Sequence, residues 1–118
     1  MTADLVTVEA STVVRDAAHA MFSGGAGSAL VLEGSRLVGI FTERDIMRAL
    51  ADQADAGRSS RVAQWMTADP ATIEPGATVG QALDRMLTGH FRHLPVVEEG
   101  AVVGVVSMRD LARSIAKQ

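Results

Sequence analysis

The sequence contains no cysteine, which excludes a disulfide framework, a thiolate metal site and a thiol nucleophile. Aromatic residues are only 3% of the chain, so a core must be assembled from Val, Leu, Ile, Ala and Met. Three histidines set a low ceiling on metal ligation, and no metal site is expected. Long apolar runs are also missing. The run ALVL at 29–32 is far shorter than the roughly 20 residues a membrane span requires. The N-terminus MTADLVTVEAS has no basic stretch followed by an apolar one, so no secretory signal and no membrane partner are expected, and the expected setting is cytoplasmic. Excess charge of one sign is absent too: 11 basic and 14 acidic residues are interspersed, for a net charge of −3. A nucleic-acid partner, which normally requires a basic patch, is therefore not expected. Sites for small phosphates remain open.

What is present is material for a core. The 118 residues are 47% hydrophobic and 21% charged, with a mean hydropathy of +0.18, which describes a globular chain rather than a disordered one. That length makes one compact domain, or two half-size units that fold together because each is marginal alone.

The chain repeats itself. Offset by 65 residues, GIFTERDIMRAL (39–50) lies over GVVSMRDLARSI (104–115), and the register holds without a gap from Leu5/Pro70 to Leu50/Ile115. Of those 46 pairs 13 are identical, among them Met21/Met86, Gly39/Gly104, Arg44/Arg109, Asp45/Asp110 and Arg48/Arg113. A match of that length is a duplication. Each copy reads as a short strand (Val6–Val8; Ala71–Ile73), a turn, and a helix with apolar residues at helical spacing (Val14, Ala17, Ala18, Met21; Val79, Ala82, Leu83, Met86). Thr78 and Gln81 make a capping box for the second of these helices. Two apolar strands joined by a hairpin turn follow, then a last helix starting at Thr42 or Ser107. The expected fold is mixed α/β, two β-α-β-β-α units, with residues 1–58 forming the first unit and its linker and 59–118 the second. The polar stretch 52–60 reads as a surface linker, VAQWMT at 62–67 matches the N-terminal Met1-Thr2, and Trp65 with Met66 reads as an apolar anchor at the unit boundary.

Chemistry concentrates where the third strand becomes the last helix: Gly39-Ile40-Phe41-Thr42-Glu43-Arg44-Asp45 and Gly104-Val105-Val106-Ser107-Met108-Arg109-Asp110. Glycine near a strand end admits a close backbone or ligand. A hydroxyl at a helix start, beside unpaired N–H groups and the positive end of the helix dipole, suits an anion. An aspartate three residues on accepts hydrogen bonds from a diol such as a ribose. The same Ser/Thr-x-x-acid pattern is a capping box in its own right, and because a cap uses only part of a carboxylate's acceptor capacity both readings stand together. Elsewhere, His90 and His93 lack a third ligand, Asp16 and His19 read as a solvated pair on one helix face, and no set of residues argues for catalysis.

The paired units, GIFTERD and GVVSMRD, together with RHLPVV at 92–97, resemble the tandem cystathionine-β-synthase (CBS) domain pair, or Bateman module, over about 110 of the 118 residues. The resemblance implies two units packed through their sheets with pseudo-two-fold symmetry and two clefts that take adenosyl compounds: AMP, ADP, ATP, NAD or S-adenosylmethionine. It implies a regulatory, signal-transducing sensor that is not an enzyme, requires no cofactor and forms a homodimer. Carried over by position, Asp110 and Asp45 are the ribose-binding residues, and Ser107, Thr42, Arg92 and His93 lie near the phosphate. Val6, Ala26 and Val105 contact the adenine at the first of these sites, and Ile40, Ala71 and Phe91 at the second. The first copy has Gly27-Ser28 where the second has Arg92-His93. The Asp110 site is therefore the expected tighter one for a phosphorylated nucleoside. The alternative is a ligand-free module kept for structure and dimerisation, excised from a larger protein or standing alone.

Overall fold

In the computed structural model, which describes residues 5–116 apart from the side chains at 53–56, the chain divides into two compact units. The first, Leu5–Pro70, opens with strand β1 (Thr7–Glu9) and helix α1 (Val14–Gly24), followed by the strands β2 (Ser28–Glu33) and β3 (Arg36–Thr42). Helix α2 (Glu43–Ser59), a 3₁₀ turn (Val62–Gln64) and strand β4 (Thr67–Ala68) complete it. Its sheet has the order β1-β2-β3-β4, with β1 parallel to β2 and the other pairs antiparallel. Helix α1 turns its 3.6-residue apolar stripe inward, burying Val14, Ala17 and Met21 together with Ala29, Val31 and Phe41 of the sheet. Phe41, wholly inaccessible, is the large side chain around which the smaller aliphatic residues close.

The second unit contains helix α3 (Val79–Gly89), the hairpin β5 (His93–Glu98) and β6 (Ala101–Ser107), and helix α4 (Met108–Ala116). Leu94, Val96, Met86, Ala82 and Leu111 form its core. The duplication is reproduced to the residue. Ser28 pairs with Thr42 as His93 pairs with Ser107, and the ladder is interrupted between Val31 and Leu32 as it is between Val96 and Val97. The parallel register Val8–Val31 recurs as a single bridge, Ile73–Val96. The strand expected at Ala71–Ile73 is reduced to that bridge: Leu30 N–H donates to Val6 C=O in the first copy, and Pro95, in the place of Leu30, has no N–H to give Ala71. The Thr78 capping box is formed: Gln81 N–H donates to Thr78 Oγ1 at 3.0 Å and Thr78 N–H to Gln81 Oε1 at 2.9 Å.

Two further features depart from the sequence reading. The stretch 52–60, expected as a linker, is helical through Ser59. Its alanines and glutamine are strong helix formers, and that propensity outweighs the polar, Gly- and Ser-containing composition. Residues 60–70, read with the second copy, pack on the first unit. Val62 is fully buried in the first core, its N–H donates to Thr12 C=O at 2.8 Å, and β4 extends the first sheet. The matched N-terminal Met1-Thr2 lies outside the described residues. Gly39 makes the β4 contact possible, since a Cβ there would overlap the Met66 thioether and crowd the Thr67 carbonyl.

The copies differ in how the first helix of each ends. Gly25 closes α1 in the left-handed region (φ 63°), and His90, its counterpart, closes α3 in the same region (φ 59°). Glycine adopts that conformation freely, whereas a side chain with a Cβ is strained by about 1–2 kcal/mol. His90 is exposed, and its backbone N–H caps the helix by donating to Met86 C=O. Replacing His90→Gly is expected to stabilise the chain by about 0.5–1 kcal/mol after the added freedom of the unfolded chain is deducted. Gly25→His is expected to destabilise it. Thermal unfolding of the two variants reads both signs, and a lower midpoint for His90→Gly would remove the strain argument.

Candidate functional site

The two strand-to-helix junctions carry the candidate residues, and the same bonds build both. The first helical N–H is taken by the carbonyl of the neighbouring strand's entry: Glu43 N–H donates to Gly27 C=O at 3.2 Å, and Met108 N–H to Arg92 C=O at 2.8 Å. The cap N–H is taken by the aspartate, Thr42 N–H to Asp45 Oδ2 at 2.9 Å and Ser107 N–H to Asp110 Oδ2 at 3.1 Å. In the second unit Asp110 N–H also donates to Ser107 Oγ at 3.1 Å. The capping reading therefore holds at both junctions. At each junction the cap amide and the first helical amide are thus engaged within the fold, which narrows what the helix start offers an anion.

Beyond the cap the two carboxylates diverge. Asp45 is buried, at 5% exposure. Its Oδ2 accepts a second bond from the Thr42 hydroxyl at 3.2 Å, and its Oδ1 accepts from Arg48 Nη1 at 3.0 Å. Asp110 is half-buried, and its Oδ1 receives no hydrogen bond from the described residues. The Ser107 hydroxyl, acting as acceptor for the Asp110 amide, keeps its proton to donate. Arg113, the counterpart of Arg48, is exposed and makes no ion pair among the described residues. One copy thus satisfies its aspartate internally, and the other leaves it an open acceptor.

The remaining candidates divide between the units. Ser107, Asp110, Arg92, His93 and Val105 share β5, β6 and the start of α4, with His93 directly opposite Ser107 in the ladder. Arg92 is exposed, and His93 and Val105 are half-buried. Val6 and Ala26, assigned to the adenine of the same site, are half-buried residues of the first unit. Thr42, Asp45 and the buried Ile40 lie on β3 and α2, whereas Ala71 and Phe91 belong to the second unit. Ala71 and Phe91 line one open depression of about 530 Å³ together with Glu74, Asp84 and Arg85. Phe91 packs on the second core and over Gly89, where a Cβ would overlap its ring. A cavity of about 140 Å³ lies beside Asp110, lined by Ile73, Thr78, Val79, Val106 and Ser114. It is smaller than the roughly 300–1,000 Å³ of a pocket that encloses a drug-sized ligand. Arg44 and Arg109 are exposed in the first turns of their helices.

The contact that sequence reasoning missed is the one around Asp45. Arg48 pairs with it from three residues along the helix and stands over the Trp65 ring, 5.7 Å from its centroid. Trp65 Nε1–H in turn donates to Ser60 Oγ at 2.9 Å. The helical spacing of Asp45 and Arg48 was a usable signal. The return of Trp65 to that helix was not, because it depends on where residues 60–65 pack.

No described helix is long and apolar enough to cross a membrane. Comparison with known proteins agrees with the repeat. The CBS domain family model matches twice, at residues 1–52 and 62–117. A 17.7 kDa protein of Acidianus ambivalens is 37% identical over 116 residues, covering 97% of this chain and 69% of its own. Three further curated relatives are longer, and the chain spans 14%, 53% and 40% of them. Among solved structures, a protein with CBS domains from Burkholderia ambifaria is 33% identical with a TM-score of 0.90, covering 98% of this chain and 85% of that one. A CBS domain protein from Pyrobaculum aerophilum complexed with AMP is 25% identical with a TM-score of 0.84, covering 100% and 95%. The chain belongs to the CBS domain family and is a tandem pair of its domains.

Proposed function

We propose that this chain is a regulatory sensor of an adenosyl nucleotide, with Asp110 as the principal ribose-binding residue. The observation that carries the reading is the state of the Asp110 carboxylate: one oxygen fixed by the Ser107 cap and the other open, beside a hydroxyl with a proton to give. A vicinal diol supplies the donors that Oδ1 accepts, and its second oxygen accepts from Ser107. Arg92 and His93 bring basic side chains to the neighbouring strand entry, where Gly27 and Ser28 bring none in the first copy. They face the phosphate. The relative complexed with AMP supports an adenylate as the ligand class. Asp45 and Thr42 form a second, weaker site of the same kind, with Ile40, Ala71 and Phe91 as its apolar residues. The role is signal transduction without catalysis: the ligand acts by its difference in affinity between two states of the module.

A homodimer belongs to this proposal. Large apolar side chains are exposed on the helices of both units: Phe22 on α1, Met47 and Leu50 on α2, Leu87 on α3 and Ile115 on α4. Phe22/Leu87 and Leu50/Ile115 are equivalent in the duplication, so the pattern recurs in both copies rather than arising from scattered exposure. Apolar residues repeated in this way suit association between copies.

Thermal unfolding with AMP, ADP, ATP, NAD, S-adenosylmethionine or adenosine, each at about 1 mM, tests the sensor. Ligand at 100 times its Kd stabilises by about 2.7 kcal/mol, which raises the midpoint by several degrees for a chain of this size. Asp110→Ala is expected to weaken binding by about 10–100-fold, corresponding to about 1.5–3 kcal/mol, and Asp45→Ala by less. Equal losses would overturn the ranking of the two sites. No shift with any ligand would overturn the sensor and leave a module whose role is association.

For the dimer, sedimentation of the doubly substituted Phe22→Glu, Leu87→Glu chain is expected to give the monomer mass where the unsubstituted chain gives twice that mass. A dimer that survives both charges would place the interface elsewhere.

A further inference from the structure

Among the residues of the first unit, Arg48 stands out because it is half-exposed yet tied on two sides. Its guanidinium makes an ion pair with Asp45 Oδ1 at 3.0 Å, with side-chain exposures of 56% and 7% for the two partners. It also stands 5.7 Å from the centroid of Trp65, within the range at which a cation is attracted to an indole face. Trp65 is itself fixed by its 2.9 Å bond to Ser60 Oγ and by packing against the first core. With Oδ2 holding Thr42 N–H and hydroxyl, and Oδ1 holding Arg48, the Asp45 carboxylate has three donors before any ligand arrives.

We propose that Arg48, held by Trp65, is a positioning residue that governs access to Asp45. A ribose hydroxyl reaches Oδ1 by displacing the guanidinium, and the displacement is registered at Trp65. The inference rests on the reading of Asp45 as a ribose acceptor and adds what regulates it. It also explains the inequality of the two sites without appeal to the phosphate end of the ligand. Arg113, in the equivalent place, has neither an ion pair to Asp110 nor an aromatic partner among the described residues. Residues 60–65 belong to the segment that packs on the first unit before the chain continues to Ala71, so occupancy of Asp45 alters a contact of that segment directly.

The chain has a single tryptophan, so its fluorescence reports the surroundings of this one side chain, of which Arg48 is a part. The experiment uses the full chain with Asp110→Ala to silence the stronger site, and adenosine as the probe, because a neutral ligand does not confuse loss of the Arg48 charge with loss of a phosphate contact. Calorimetry and Trp65 emission are followed in parallel. Without ligand, Arg48→Met is expected to shift the emission and Arg48→Lys, which keeps a cation, to shift it less. With adenosine, Arg48→Met is expected to bind about two- to fivefold tighter than the parent, the range set by a partly exposed ion pair, while Arg48→Lys stays near the parent. Adenosine is expected to move the emission when Arg48 is present and to leave it unmoved in Arg48→Met.

Equal or weaker binding by Arg48→Met, or binding to the parent without a change in emission, would overturn the proposal. Binding to the unsubstituted chain that vanishes in the Asp110→Ala parent would also overturn it, while leaving the sensor reading standing. No adenosine binding to the unsubstituted chain would overturn both.

Discussion

The structure depends on one short interaction made twice: an aspartate carboxylate that reaches back three residues to the N–H of the residue where a strand ends and a helix begins. That bond turns the chain from β3 into α2 and from β6 into α4. A companion bond runs from the first helical amide to the carbonyl at the entry of the neighbouring strand. Together they fix the helix start against the hairpin, and with it the inward face that places Leu111 in the second core. The same carboxylate is the best candidate acceptor for a ligand. A side chain with two oxygens can serve both ends because the cap needs only one of them.

What the second oxygen does separates the copies. Duplication carried the cap and the interrupted ladder across, since each is demanded by the fold of either copy. The surroundings of the cap answer to no such demand and differ between the copies, in residue type at 27–28 against 92–93 and in contacts at the identical pair Arg48 and Arg113. Arg48 and Trp65 close the first carboxylate, and an Arg-His pair replaces Gly-Ser beside the second. His90 occupies a left-handed position that Gly25 fills without strain. Divergence also reaches the cores, where Ala29 and Phe41 of the first copy stand against Leu94 and Val106 of the second, one apolar residue exchanged for another.

The fold was legible because it is periodic and repeated. Helical spacing identifies α1 and α3 from Val14, Ala17 and Met21 and their counterparts, and the 65-residue offset puts the two hairpins at equivalent places in the copies. The capping boxes at Thr78, Thr42 and Ser107 were legible for the same reason, being local patterns of residue type. Three features were not. The helix through 52–59 was hidden by a composition that punctuates loops elsewhere. The strand at 71–73 is limited to one bridge, because Pro95 on the neighbouring strand has no N–H where Leu30 donates in the first copy. The packing of Val62, Trp65 and β4 on the first unit depends on contacts distant in sequence, and neither composition nor period encodes those. For the site, the identity of the two aspartates was readable and their states were not. The burial of Asp45 and its three donors is a tertiary fact.

That difference in state bears on why a repeated fold keeps both aspartates. If the carboxylate served the ligand alone, a copy that binds weakly would be free to lose it. The cap prevents this, because removing Asp45 would leave the Thr42 amide unpaired in a half-buried junction and the Arg48 guanidinium without its partner, at a cost comparable to a lost charged hydrogen bond, about 1.5–3 kcal/mol. Retention of Asp45 is therefore explained by folding, whatever binds there. The informative residues are those the cap does not require: Arg92 and His93 beside Asp110, and Arg48 with Trp65 beside Asp45. In a duplicated module of this kind the common motif reports the fold, and the differences in what surrounds it are what distinguish one copy from the other.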